Sequence, residues 1–146
     1  MAINQQRINW IRQVRLPELR TRVANNTTER DRTNRNLDTL TTGRDNLKNL
    51  LNNTSDVPNH IRNSPGQVVP ATRFQGNNRT NMSNRLSELR QAISSQRKIH
   101  NSNMTALNSK ISSLTTTRDN LSGAISRDQG EISQLTWELN QAGIFI

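Results

Sequence analysis

The sequence predicts an all-α protein: a long antiparallel helical hairpin or coiled coil with an irregular central loop. Apolar residues recur at steps of three and four along two long segments, which is the 3.5-residue repeat of a coiled-coil seam. Three of the four prolines lie between those segments. Only 30% of the 146 residues are apolar and 3% are aromatic. That is too little apolar surface for a thick globular core, so a compact enzyme fold is disfavoured.

The first repeat predicts a helix over about residues 4–52. From Leu16 to Leu51 its positions follow the repeat without interruption, although the middle of the seam is polar. Pro17 lies inside this range, and proline is best tolerated in the first turn of a helix. Residues 4–15 are therefore either a short separate helix or a kinked extension of this helix, and we favour the extension.

The second repeat is longer and predicts helix two over about residues 78–141. The connection covers about residues 53–77, because the prolines there remove amide donors and disfavour helix in the residue before them. Each helix carries a narrow apolar stripe that needs a partner. We therefore expect the helices to fold back on each other as a single domain of residues 1–146.

A connection centred near residues 64–66 sets the expected register. Residue i then faces roughly residue 131 minus i, so helix two beyond about Ile125 overhangs and lacks an intramolecular partner. An unpartnered apolar stripe on a soluble protein indicates a protein-binding surface. We predict such a surface on helix two, with Trp137 as an anchor. Its residues are Ile111, Leu114, Leu121, Ile125, Ile132, Leu135, Trp137 and Leu139.

The residue content argues against catalysis and metal binding. Cys is absent, and His60 and His100 are too few for a multi-His metal site. The chain has no Gly-rich phosphate loop, HExxH motif or nucleophile elbow. We expect no enzymatic activity and no cofactor.

The formal net charge of +9 raises the question of a polyanionic ligand. A protein that binds nucleic acid gains affinity by releasing counterions from phosphates, and usually concentrates its Arg residues on one face. Here Arg is scattered, and few aromatic residues are present to stack on bases. An evenly solvated surface or a patch complementary to an acidic protein partner explains the charge better. We rank nucleic-acid binding below a protein partner and below self-association.

Apolar runs are short throughout the chain. None reaches the length of a signal-peptide core or the roughly 20 residues of a membrane span. We therefore expect a protein without a membrane span, either cytoplasmic or exported without a classical signal peptide.

Phe74, Gln75 and Gly76 form the most specific local motif, just before the predicted start of helix two. The aromatic ring could cover the end of the seam, and Gly permits the positive φ of a tight turn. A loop that merely contains a Phe explains these three residues equally well.

The whole chain resembles the YwqH-like small α-helical partners of LXG polymorphic toxins of type VII secretion, which are similar to WxG-type helical hairpins. The resemblance rests on the long N-terminal helix, on a WxG-like turn with Phe74 in place of Trp and with Gly76, and on repeated Ile-x-x-Leu steps. Those steps are Ile111-Ser-Ser-Leu114 and Ile132-Ser-Gln-Leu135.

The resemblance implies a non-enzymatic binding partner, or targeting chaperone, for the N-terminal helical domain of an LXG-type toxin. The alternative is a structural coiled-coil protein that forms a homo-oligomer or part of a virion or appendage. Under both hypotheses the chain works as an oligomer or a hetero-complex, with a toxin domain or its own copies as the partner.

Overall fold

The computed structural model describes residues 4–57 and 77–144 as two long helices that pack against each other. This confirms the predicted all-α helical hairpin, and the described residues contain no β-strand. Helix one consists of α1 (Gln5–Trp10), a π-helical turn (Ile11–Arg15) and α2 (Leu16–Asn53). Helix two is α3 (Asn77–Gln141). The predicted turn residues Phe74 and Gly76 lie outside the described residues, as does most of the predicted loop.

Helix one continues through Pro17 because the helical turn before this proline is a wider π-helical turn. Asn4 caps α1 through its side-chain oxygen, which accepts a hydrogen bond from a backbone N–H two residues on at 2.9 Å. In the π-helical turn, the Leu16 N–H donates to the Ile11 carbonyl, five residues back. Proline has no N–H, and its ring crowds the carbonyl four residues earlier, so a turn with an extra residue accommodates it. The N-terminal residues therefore extend helix one.

The chain divides into two compact units, each containing a stretch of both helices. The terminal unit comprises Met1–Thr39 and Ile111–Ile146, and the central unit comprises Leu40–Lys110. The buried apolar cluster of the terminal unit joins the start of helix one to the end of helix two. It consists of Ile8, Ile11, Leu16, Leu19, Leu135 and Leu139, with Ile132, Ala142 and Ile144 packed against it.

The predicted register is wrong by about 15 residues, or four helical turns. In the terminal unit Arg15 pairs with Glu131, whereas a connection centred near residues 64–66 predicts a partner roughly at position 116. The predicted overhang beyond Ile125 is therefore wrong as well, because that part of α3 packs on the start of helix one. A long connection constrains the register weakly, since lengthening a loop adds little closure entropy. Burial of apolar residues and the ion pair between Arg15 and Glu131 select it instead.

Helix two ends in a glycine-based cap. Gly143 has φ of 77°, its N–H donates to the Asn140 carbonyl, and the Ile144 N–H donates to the Leu139 carbonyl, both at 3.0 Å. This is the pair of hydrogen bonds of a Schellman motif, with glycine at the left-handed position. Ile144 packs against the apolar cluster that contains Leu139, as is common in this motif. The cap thus directs the chain end onto the core of the terminal unit.

Neither helix is apolar enough over sufficient length, within residues 4–57 and 77–144, to cross a membrane.

Candidate partner-binding surface

The eight residues predicted to bind a partner do not form one exposed stripe. Ile125, Leu135 and Leu139 are buried inside the chain. Trp137 is exposed, with 61% of its surface accessible to solvent. The other four are half-buried: Ile111, Leu114, Leu121 and Ile132. The prediction of an exposed stripe is corrected accordingly, because the actual register packs Ile132, Leu135 and Leu139 against the start of helix one.

Trp137 faces away from the apolar seam for a geometric reason. It lies two residues from both Leu135 and Leu139, and each residue of an α-helix turns the side chain by about 100°. The indole therefore lies on the face of α3 opposite the two leucines, which are buried at 5% and 0% exposure. The steps of three and four along α3 pass over position 137, so the periodicity of the sequence alone could have separated it from the stripe.

The other tryptophan of the chain is also exposed. Trp10 has 41% of its surface accessible, and the Arg7 guanidinium lies over its ring at 5.5 Å from the centroid. A cation over an aromatic face is attracted by the ring quadrupole, which holds the indole in place. Val14, four residues further on, is exposed as well. Both tryptophans of the terminal unit are thus available at its surface.

Among the described residues of the terminal unit, three ion pairs join helix one to helix two. Arg7 contacts Glu138 at 2.9 Å and Arg22 contacts Asp128 at 2.9 Å. The Arg15 guanidinium donates two hydrogen bonds to the two carboxylate oxygens of Glu131, at 2.6 and 2.8 Å. This hydrogen-bonded contact lowers the pKa of Glu131 and raises the pKa of Arg15, to which Glu18 also contributes. A bidentate pair has fixed geometry, so it selects one register of the helices.

Asp128 places a carboxylate in the seam of the terminal unit, where it is 4% exposed. One of its oxygens accepts a hydrogen bond from Arg22, and its Oδ2 has no hydrogen-bond partner within the described part of the chain. A buried ion pair offsets its loss of hydration only when the geometry is good and further hydrogen bonds are present. We infer that this layer contributes specificity of pairing rather than stability.

In the central unit, Arg97 of α3 closes the end of α2. Its Nη1 donates to the Leu51 carbonyl at 2.9 Å and to the Thr54 hydroxyl at 2.8 Å. The last four carbonyls of a helix lack intrahelical partners and carry partial negative charge, so a cation there is stabilising. Arg97 therefore acts as a cap supplied by the other helix.

A groove of about 580 Å³ lies beside this cap in the central unit. The described residues of its walls supply three cations and one carboxylate, together with three Asn side chains and one Ser. The lining residues are Arg44, Asp45, Lys48, Leu51, Asn52, Ser55, Arg97, Asn101, Met104 and Asn108. The spacing of Arg44 and Lys48 is visible in the sequence, but the contribution of Arg97 from the other helix depends on the register.

Among the described residues of the central unit, Leu50, Leu89 and Ile99 are exposed large apolar side chains. Each has about half of its surface accessible to solvent. Single exposed apolar residues are ordinary, but several in one unit indicate a surface that can associate.

No three His, Cys, Asp or Glu side chains come together as a metal-binding group among residues 4–57 and 77–144. Comparison with protein-family models, with curated proteins and with solved structures finds no match to this chain. Its function therefore has to be inferred from the geometry of its own residues.

Proposed function

We propose that this chain is a non-enzymatic helical binding partner, a targeting chaperone for the N-terminal helical domain of an LXG-type toxin exported by type VII secretion. The observation that best supports a binding role is the exposure of both tryptophans on the helices of the terminal unit. Trp is strongly enriched among the residues that dominate protein–protein affinity, because it buries a large area with little conformational freedom to lose. The sequence resemblance supports the toxin domain as the partner.

The structure changes how such a partner would be bound. The apolar stripe of α3 is used inside the chain, so the hairpin offers its outer helix faces rather than an overhanging end. Trp137 lies on one such face and Trp10 on another. A partner composed of helices can pack against these faces by placing its ridges beside the indoles.

The test is complex formation between this chain and the helical N-terminal domain of an LXG-type toxin, measured by co-purification and by titration calorimetry. We expect Trp137→Ala to weaken the complex by about 2 kcal/mol or more, because truncating a central aromatic anchor removes a large contact. Gln134→Ala, an exposed position one turn earlier on α3, is the matched control and should change affinity by less than about 0.5 kcal/mol. Absence of any complex with the wild-type chain would refute the proposal.

A structural homo-oligomer is the second candidate function, and the exposed Leu50, Leu89 and Ile99 of the central unit favour it. Copies of the chain could bury these residues against one another. Light scattering coupled to size exclusion, with circular dichroism on the eluted peak, distinguishes the two. A defined, fully helical homo-oligomer without any partner would favour this function, and a helical monomer would exclude it.

A further inference from the structure

We infer that the groove of the central unit binds an acidic α-helix of the protein partner. Among the residues that the structure describes, Arg44, Lys48 and Arg97 are the cations of its lining, and Asp45 is the carboxylate. Asp45 is already paired with Arg44, at 2.8 Å. Lys48 has no ion-pair partner among the residues that the structure describes. The groove therefore has an excess of positive charge that an anionic group can neutralise.

The spacing of the cations matches an α-helix. Arg44 and Lys48 are four residues apart on α2, which is about 6 Å along the helix axis. Arg97 reaches α2 at the Leu51 carbonyl, three residues and about 4.5 Å beyond Lys48. Side chains three and four residues apart on a helix have Cβ atoms about 5–6 Å apart. Three carboxylates on successive turns of a partner helix can therefore face the three cations.

The rest of the lining favours a protein helix over nucleic acid. Leu51 and Met104 supply apolar surface between the cations, on which an aliphatic side chain of a partner helix can pack. Met adapts its shape easily to such contacts. Among residues 4–57 and 77–144 no aromatic residue lines the groove, whereas proteins that bind single strands stack bases on aromatic rings. Asn52, Asn101 and Asn108 add amide groups that can both donate and accept hydrogen bonds.

That the acidic helix belongs to a protein partner rests on the proposed function. Binding of an acidic helix by the groove can be tested separately. The probe is a fluorescent Ala-based helical peptide with three Glu residues one turn apart around a Leu. Its control is the same peptide with Gln in place of Glu. Fluorescence anisotropy at low and high salt measures the affinity of each for the full chain.

We expect the full chain to bind the Glu peptide, and to bind the Gln peptide at least about 10-fold more weakly. The difference in affinity should shrink at high salt.

Lys48→Glu should reduce the affinity for the Glu peptide by about 10-fold, because it replaces an unpaired cation with a repelling charge. The matched control is Lys98→Glu, at another exposed lysine of the central unit outside the groove lining. It makes the same change in net charge and should change the affinity by less than about 2-fold. Circular dichroism verifies that both variants remain helical.

The outcomes separate the groove from the proposed function. Equal losses for Lys48→Glu and Lys98→Glu, or a Gln peptide that binds as well as the Glu peptide, would overturn the groove as an acidic-helix site. A single-stranded oligothymidylate that binds more tightly than the Glu peptide and loses affinity in Lys48→Glu would overturn the choice of occupant. If the toxin domain does not bind but the peptide does so through Lys48, the groove stands and the proposed function fails.

Discussion

The ion pair between Arg15 and Glu131 shows how single residues decide the pairing of two polar helices. The seam of the terminal unit includes a carboxylate at Asp128 and a buried hydroxyl at Thr33, so apolar contacts do not extend along its whole length. A bidentate Arg–carboxylate contact accepts one geometry, whereas Leu side chains tolerate several. Ion pairs near the surface add little to the free energy of unfolding. The main effect of the ion pairs between helix one and helix two is therefore on the register of the two helices. The sequence shows the charges but not which of them meet.

Glu131 should make part of the stability of the terminal unit depend on pH. Arg15 lowers the pKa of Glu131 in the folded chain. The ionised carboxylate therefore contributes its full stabilisation of the fold above the ordinary pKa of about 4.5. This stabilisation is lost as the pH falls through the lowered pKa of the folded state. We expect the melting temperature of wild type to fall on acidification and Glu131→Gln to show a smaller fall.

Circular dichroism melts between neutral pH and pH 3 measure this difference. Glu88→Gln is the control, since Glu88 is exposed and forms no ion pair in the described part of the chain. Identical pH profiles for Glu131→Gln and wild type would contradict the prediction.

At the scale of the element, the helix ends show two different ways of satisfying backbone groups. The end of α3 is closed locally, by Gly143 and the Schellman hydrogen bonds. At the end of α2, Thr54 and Ser55 donate local hydrogen bonds to the Leu50 and Asn52 carbonyls, and Arg97 from the other helix adds a hydrogen bond to the Leu51 carbonyl. A local cap can be anticipated from a Gly after the last apolar repeat position. A cap supplied by another helix cannot be anticipated from the sequence, because it forms only when the two helices pair in one register.

Replacing Gly143 and Gly130 by Ala should have opposite effects on stability. Gly143→Ala places a Cβ at positive φ and should cost about 1 kcal/mol. Gly130 lies inside α3, and a Cβ added there meets open space. Gly130→Ala should raise the free energy of unfolding by about 0.5–1 kcal/mol, because Gly loses more backbone entropy than Ala when a helix forms. Urea unfolding followed by circular dichroism measures both. Equal effects of the two substitutions would argue against the left-handed cap.

At the scale of the whole molecule, a long chain with few apolar residues buries a small core. In the terminal unit that core joins the first turns of helix one to the last turns of helix two. The contact leaves the outer faces of the helices, including both tryptophans, exposed to solvent. Buried core residues and the exposed Trp137 therefore lie within a few positions of each other on α3.

Leu139→Ala and Trp137→Ala should separate stability from binding. Leu139 is fully buried, so its truncation should cost about 2–5 kcal/mol of unfolding free energy through lost burial and a cavity. Trp137 is exposed, and its truncation should change stability by less than about 0.5 kcal/mol. Denaturant unfolding of the two variants beside wild type tests this. Comparable losses would mean that the end of α3 is not packed as described.

The sequence by itself determined the fold class and the helical character of both segments, because a 3.5-residue repeat and clustered prolines are local signals. It also separated helix one from helix two close to the ends observed at Asn53 and Asn77. The register was decided by the tertiary structure. Heptad seams can pair in many registers of similar pattern, and a long connection constrains them weakly. In the terminal unit, burial of Leu135 and Leu139 against Ile8 and Ile11, together with the ion pair between Arg15 and Glu131, selects one register, which is why the predicted overhang is absent.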